Sequence, residues 1–127
     1  MALAQSFREL EVYRRAFEAA VSVRDLSQRF PSHERYALTD QLCRSSRSVC
    51  ANIAEAWRKR RYVRAFASKL SDADGGAAET IVWLDFALRH GYIDTDIHAS
   101  LSDTYDHIGA QLNKMMSRAK DWCPDHG

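Results

Sequence analysis

Seven residues, Phe66, Leu70, Ala73, Ala77, Thr80, Leu84 and Ala87, step by four and three in strict alternation. That spacing holds them on one face of an α-helix for roughly six turns, whereas a strand would scatter them over both faces. A stripe of this length needs partner helices to cover it. Ile81, Trp83 and Leu88 broaden the face. Gly75 and Gly76 fall in the middle and cost about 1 kcal/mol each against alanine. The unbroken register predicts one long helix with a weak centre, closed by Gly91 in "RHGYID" as a left-handed cap.

The rest of the chain obeys the same period, with only five glycines and two prolines to interrupt it. In the first segment Leu10, Tyr13, Phe17 and Ala20 form a stripe that Val12, Ala16 and Val23 widen. It stops at "RFPSHE", where Pro31 disfavours helix at Phe30 and Ser32 is the expected N-cap of the next helix. That second helix is predicted over 32–58. Leu38, Leu42, Val49, Ile53 and Trp57 line one side; Arg44, Arg47, Ala51, Glu55 and Arg58 line the other. The fourth starts near Thr95 or Asp96, carries Ile97, Leu101, Tyr105, Ile108, Leu112, Met115 and Ala119, and closes at Cys123 and Pro124. No run alternates with period two for long enough to argue a strand. Four helices with short connections predict an all-α, antiparallel up-down four-helix bundle, one domain over 1–127 with residues 1–6 and 124–127 frayed.

A net charge of +1 and a pI near 7.8 give the whole chain no electrostatic reason to attract a polyanion, so any such attraction must be local. Cys43, Cys50 and Cys123 form no C-x-x-C pair, and no secretory or membrane-spanning segment is visible, so a cytoplasmic protein is expected.

The second segment also carries a family pattern. "FPSHERYALTDQLCRSSRSVCANIAEA" resembles F-P-x-x-E-x-x-x-L-x-x-Q-x-x-R-x-x-x-S-x-x-x-N-I-A-E-G, matching at Phe30, Pro31, Glu34, Leu38, Gln41, Arg44, Ser48, Asn52, Ile53, Ala54 and Glu55. This is the pattern of small four-helix-bundle proteins first noticed in intervening sequences of bacterial 23S ribosomal RNA genes. Leu10, Tyr13 and "ALRHGYI" fit as well. Ala56 stands where the family has glycine, which favours a continuing helix, and "SDADGGAAE" replaces the family's pattern in the third helix. The resemblance implies an antiparallel bundle and a homopentamer around a central opening. The related accessory proteins of diversity-generating retroelements are basic and bind nucleic acid and a reverse transcriptase.

The stretch most suggestive of function is "WRKRRYVR", with Arg58, Lys59, Arg60, Arg61 and Arg64. Consecutive helical residues turn by about 100°, so a continuing helix would bring Arg60 onto the seam of Ile53 and Trp57, where its charge is costly to bury. The helix must therefore end near Arg58 or protrude. Two readings are open. The cations complement the dipole at a helix C-terminus, although Arg61 and Arg64 then begin the next helix, where cations are disfavoured unless Asp72, Asp74 or Glu79 compensates. Alternatively they contact phosphates of RNA or DNA, with Tyr62 or Trp57 as a stacking face.

Arg44, Ser48, Asn52 and Glu55 form a polar stripe, expected to be an interhelical network or a subunit contact, with a ligand site as the alternative. Glu55 and Lys59 are a favourable i,i+4 pair. Asp94 with His98, and Asp103 with His107, share that spacing on faces expected to be solvated. No Glu-x-x-His motif, glycine-rich phosphate loop or nucleophile elbow occurs, so no metal, cofactor or enzymatic activity is expected. Trp57, Trp83, Trp122, Tyr36, Tyr92 and Tyr105 are many aromatics for one bundle, either core or anchors for another subunit. The competing functional class is a scaffold for an unidentified protein partner.

Overall fold

The computed structural model describes residues 4–124, and all regular structure in that range is helical. Four long helices, α1 (Glu11–Ser27), α2 (Leu38–Arg58), α3 (Val63–Arg89) and α4 (Thr95–Ser117), precede a short α5 (Ala119–Trp122). Each long helix packs on two others, in the cyclic order α1, α2, α3, α4. Their directions follow from the contacts. Ser45 meets Thr80, Ser48 faces Gly76 and Glu55 pairs with Lys69, so α2 descends as α3 rises. Asp74 with Asn113 and Asp85 with His98 set α3 and α4 antiparallel in the same way.

The third segment matches its expectation most closely. All seven stripe residues are buried, and α3 passes through Gly75 and Gly76 without a break. A Cβ on Gly76 would lie 2.7 Å from Ser48 Oγ and 3.2 Å from Val49 Cγ2, so this glycine lets α2 and α3 approach closely. Gly91 has φ +77°; its N–H donates to Leu88 O at 3.0 Å and Tyr92 N–H donates to Ala87 O at 2.9 Å, the paired bonds of a Schellman cap.

Three boundaries depart from expectation. Residues Ser32–Glu34 form a 3-10 turn, and α2 begins only at Leu38, so Ser32 is not its cap. Glu34 reaches across this turn: its carboxylate accepts Leu38 N–H at 3.4 Å and the Tyr92 hydroxyl at 2.8 Å, tying the α1–α2 connection to the α3–α4 loop. At the other end of the chain α4 stops at Ser117, and α5 is a separate turn beyond Arg118. At the N-terminus, Ser6 and Glu9 form a capping box around a 3-10 turn, Phe7–Glu9, so order begins inside the stretch expected to fray. The tail residues 125–127 lie outside the described range.

The stripe of α1 is also rotated. Its buried residues are Val12, Ala16, Ala19, Ala20, Val23 and Ser27, while Tyr13 is half-buried and Phe17 is 48% exposed. The residues expected to widen the stripe are its centre. On α4, Ile97 is exposed and the buried run starts at Tyr105. No described helix is long and apolar enough to cross a membrane.

Candidate nucleic-acid interface

Two helix ends meet at residues 58–64. Helix α2 ends at Arg58 because its next apolar-phase position is Arg60, and the chain turns through Lys59 (φ −101°, ψ 13°) and Arg60 into Tyr62, which precedes α3 in an extended conformation. The turn is held by Arg60 N–H to Trp57 O at 3.3 Å and Tyr62 N–H to Lys59 O at 3.0 Å.

The five cations fall into three classes. Arg58 and Lys59 are exposed at the C-terminus of α2, where the dipole favours them. Arg60 folds back: its guanidinium carbon stands 3.5 Å over the Trp57 ring and its Nε donates to Trp57 O at 2.9 Å. It lies against the buried indole and satisfies a terminal carbonyl. Arg61 and Arg64 are exposed at the start of α3, which has no side-chain cap and no acidic residue in its first turn. Here the dipole works against them. The acidic residues expected to compensate are engaged elsewhere: Asp72 lies 3.7 Å from Lys69, Asp74 accepts Asn113 at 3.2 Å, and Glu79 accepts the Trp83 indole at 3.0 Å. Among the described residues none of the five cations forms a salt bridge. Trp57, Arg58, Arg60, Arg61 and Pro124 line a shallow cavity of about 350 Å³ at this corner.

Of the two aromatics proposed for stacking, Trp57 is ruled out by packing. Its ring is only 6% exposed and already carries Arg60. Tyr62 is 63% exposed.

The polar stripe does not form one network. Arg44 pairs with Asp40 at 3.1 Å on the surface. The Ser48 hydroxyl donates to Ser45 O at 2.7 Å and the Asn52 amide donates to Ser48 O at 3.0 Å, both within α2. Only Glu55 crosses between helices, and its partner is Lys69 at 3.0 Å instead of Lys59. That hydrogen bond is the main reason the Lys69 ammonium titrates above its ordinary range. His98 likewise pairs across helices, 2.7 Å from Asp85, while Asp94 caps α4 by accepting Ile97 N–H at 2.8 Å. All three cysteines are free. Burial pushes the Cys50 thiol up to about 11 and raises that of Cys123, against the opposing pull of Arg60.

A second surface feature escapes the sequence. Because α1 is rotated, Phe17 and Val21 stand on a groove of about 600 Å³ between α1 and α2, floored by Ala20, Ala51 and Ala54. The signal was present in the Tyr13–Phe17 spacing, but that spacing equally suits a core.

Comparison with known proteins bears on the fold. The family model described as 23S rRNA-intervening sequence protein matches residues 8–114. The chain is also similar to a crystal structure of a protein with unknown function from the S23 ribosomal protein family of Bacteroides thetaiotaomicron VPI-5482. The TM-score is 0.77 at 27% identity, over 84% of this chain and 95% of that one. No curated protein matches.

Proposed function

Because this chain belongs to the family of 23S rRNA-intervening sequence proteins, we propose that it is a non-enzymatic accessory protein that binds nucleic acid at the α2–α3 corner. The observation that carries this reading is the placement of Arg61 and Arg64. The C-terminal dipole of α2 accounts for Arg58 and Lys59, and packing on Trp57 accounts for Arg60. Neither accounts for two exposed arginines at an uncapped N-terminus with no acid in the first turn. Such a local conflict between sequence and fold stability is where a functional site is expected. A phosphate would neutralise both cations and accept from the free N–H groups of α3.

The protein acts as a homo-oligomer in this reading, a pentamer by family resemblance, in the cytoplasm, where its three free cysteines stay reduced. The apolar groove of Phe17 and Val21 supports a self-contact, since covering it removes exposed apolar surface. Repetition round a ring would make each modest patch one arm of a multivalent surface.

Fluorescence anisotropy with short RNA and DNA oligonucleotides across salt tests the reading, with light scattering to report the assembly. Four exposed cations, Arg58, Lys59, Arg61 and Arg64, predict a slope of log K against log salt of about −3 for a single strand spanning one corner. Arg61→Ala with Arg64→Ala should flatten that slope by roughly 1.4. Arg60→Ala should leave the slope nearly unchanged and lower the melting temperature instead, because its guanidinium is spent on Trp57. Absence of salt-dependent binding by the folded protein would refute the proposal and leave a protein-interaction scaffold as the better reading.

A further inference from the structure

We infer that the α2–α3 corner selects single-stranded nucleic acid, with Tyr62 as a backbone-anchored platform for one unstacked base. The inference rests on the proposal that this corner binds nucleic acid and names the form it takes.

Tyr62 is rooted at both ends. Its N–H donates to Lys59 O at 3.0 Å, and its carbonyl accepts Phe66 N–H at 2.9 Å as the first helical bond of α3. The backbone is therefore fixed while the ring stays 63% exposed, with no aromatic neighbour and no hydroxyl partner among the described residues. The other large aromatics differ. Trp57 is covered by Arg60 and Phe86 lies 6.1 Å from His90, while Tyr36, more exposed still at 86%, has Arg35 over its ring at 5.5 Å. What sets Tyr62 apart is an exposed arginine on either side, with Arg61 before it and Arg64 one residue past Val63.

A single strand alternates phosphates with bases whose faces are free, and proteins meet it with cations interleaved by aromatic rings. A duplex keeps its bases stacked inside, so a ring projecting from this corner would meet only backbone. The order of cation, ring and cation along residues 61–64 suits the first and wastes the ring on the second. Anchoring the Tyr62 backbone at a helix start also lowers the ordering cost of binding to that of the side chain alone.

The test compares single-stranded RNA, single-stranded DNA and a duplex of equal length by anisotropy at fixed salt. The proteins are the parent, Tyr62→Ala, Tyr62→Phe and the Arg61→Ala, Arg64→Ala double variant. The ring is exposed, so each Tyr62 variant should fold, which circular dichroism checks. We expect single strands to bind at least about tenfold tighter than duplex, and Tyr62→Ala to erase about that factor for single strands only. The Tyr62→Ala salt slope should equal the parent's, and Tyr62→Phe should bind like the parent. If Tyr62→Ala binds single strands within twofold of the parent while the arginine variant fails, the single-strand inference falls and the nucleic-acid reading stands. If the parent binds nothing, both fall.

Discussion

Gly75 and Gly76 are neighbours in α3, yet alanine should move stability in opposite directions at the two positions. Glycine to alanine inside a helix gains about 1 kcal/mol from the restricted unfolded chain. At Gly75 the new Cβ meets nothing within 4 Å, so the gain stands. At Gly76 it lies 2.7 Å from Ser48 Oγ, 3.2 Å from Val49 Cγ2 and 3.4 Å from Ser45 O. The first distance is too short to survive. Ser48 Oγ can turn away only by giving up its 2.7 Å bond to Ser45 O, worth about 1 kcal/mol. Val49 is fully buried and has little freedom at χ1. The remaining route is for α2 to back away from α3, which stretches the 2.9 Å bond between Thr80 and Ser45. Overpacking of this kind costs about 1–3 kcal/mol. With the lost Ser48 bond added and the helix gain subtracted, Gly76→Ala should be about 1–3 kcal/mol less stable than the parent, and Gly75→Ala about 1 kcal/mol more stable. Urea denaturation followed by circular dichroism, at one protomer concentration so that assembly does not shift the midpoint, measures both. Equal stability of the two variants would refute the close approach of α2 and α3.

Two further outcomes follow from polar groups away from the corner. Tyr105 is fully buried and its hydroxyl has no hydrogen-bond partner among the described residues, so burial drives the phenol well above its ordinary range, against a smaller opposing pull from the nearby Ser46 hydroxyl. An unpaired buried hydroxyl is a penalty of about 1–3 kcal/mol, so Tyr105→Phe should match or exceed the parent in denaturation; a loss beyond about 1 kcal/mol would show a satisfied hydroxyl. The Tyr92 hydroxyl holds the Glu34 carboxyl below its ordinary 4.5, so this contact stabilises the fold fully above that pH and its contribution fades as pH falls through the lowered value. Tyr92→Phe should return Glu34 toward its ordinary value in an NMR titration and flatten the acid limb of stability; an unmoved Glu34 would sink the assignment.

What could be read in advance was whatever depends on neighbours along the helix. The α3 stripe was complete because its four-three register runs unbroken for about six turns, which outweighs Val82 and Phe86 on the outer face of the same helix. The α1 stripe was misread only at Tyr13 and Phe17, since these are apolar like Val12 and Ala16 and only the neighbouring helices decide which pair faces inward. Local reading also failed wherever a side chain chose between a partner on its own helix and one across the bundle. Glu55 took Lys69 over Lys59, and His98 took Asp85 over Asp94. Neither choice is encoded in spacing. At the corner the end of α2 was legible from the cost of burying Arg60, while the stacking of that same side chain on Trp57, which withdraws the indole from any ligand, was not.

The residues that mark the family and the residues proposed to act are different sets. Glu34 of the signature holds Tyr92 of "ALRHGYI" at 2.8 Å, so two matched stretches far apart in sequence are joined by one hydrogen bond. Ser48 sits at the close approach to Gly76, Ile53 is fully buried, and Glu55 clamps α3 through Lys69. Ala56, the departure from the family glycine, is buried inside a helix that continues past it. Each of these residues builds the bundle. The cation run begins only after the signature ends, at Arg58, on a turn that the bundle requires but whose side chains, Arg60 apart, it does not. A relative could therefore keep every signature contact and replace Arg61, Tyr62 and Arg64 without loss of fold. In this chain those three are retained at a cost in helix electrostatics and exposed aromatic surface, and a bound single strand would offset both.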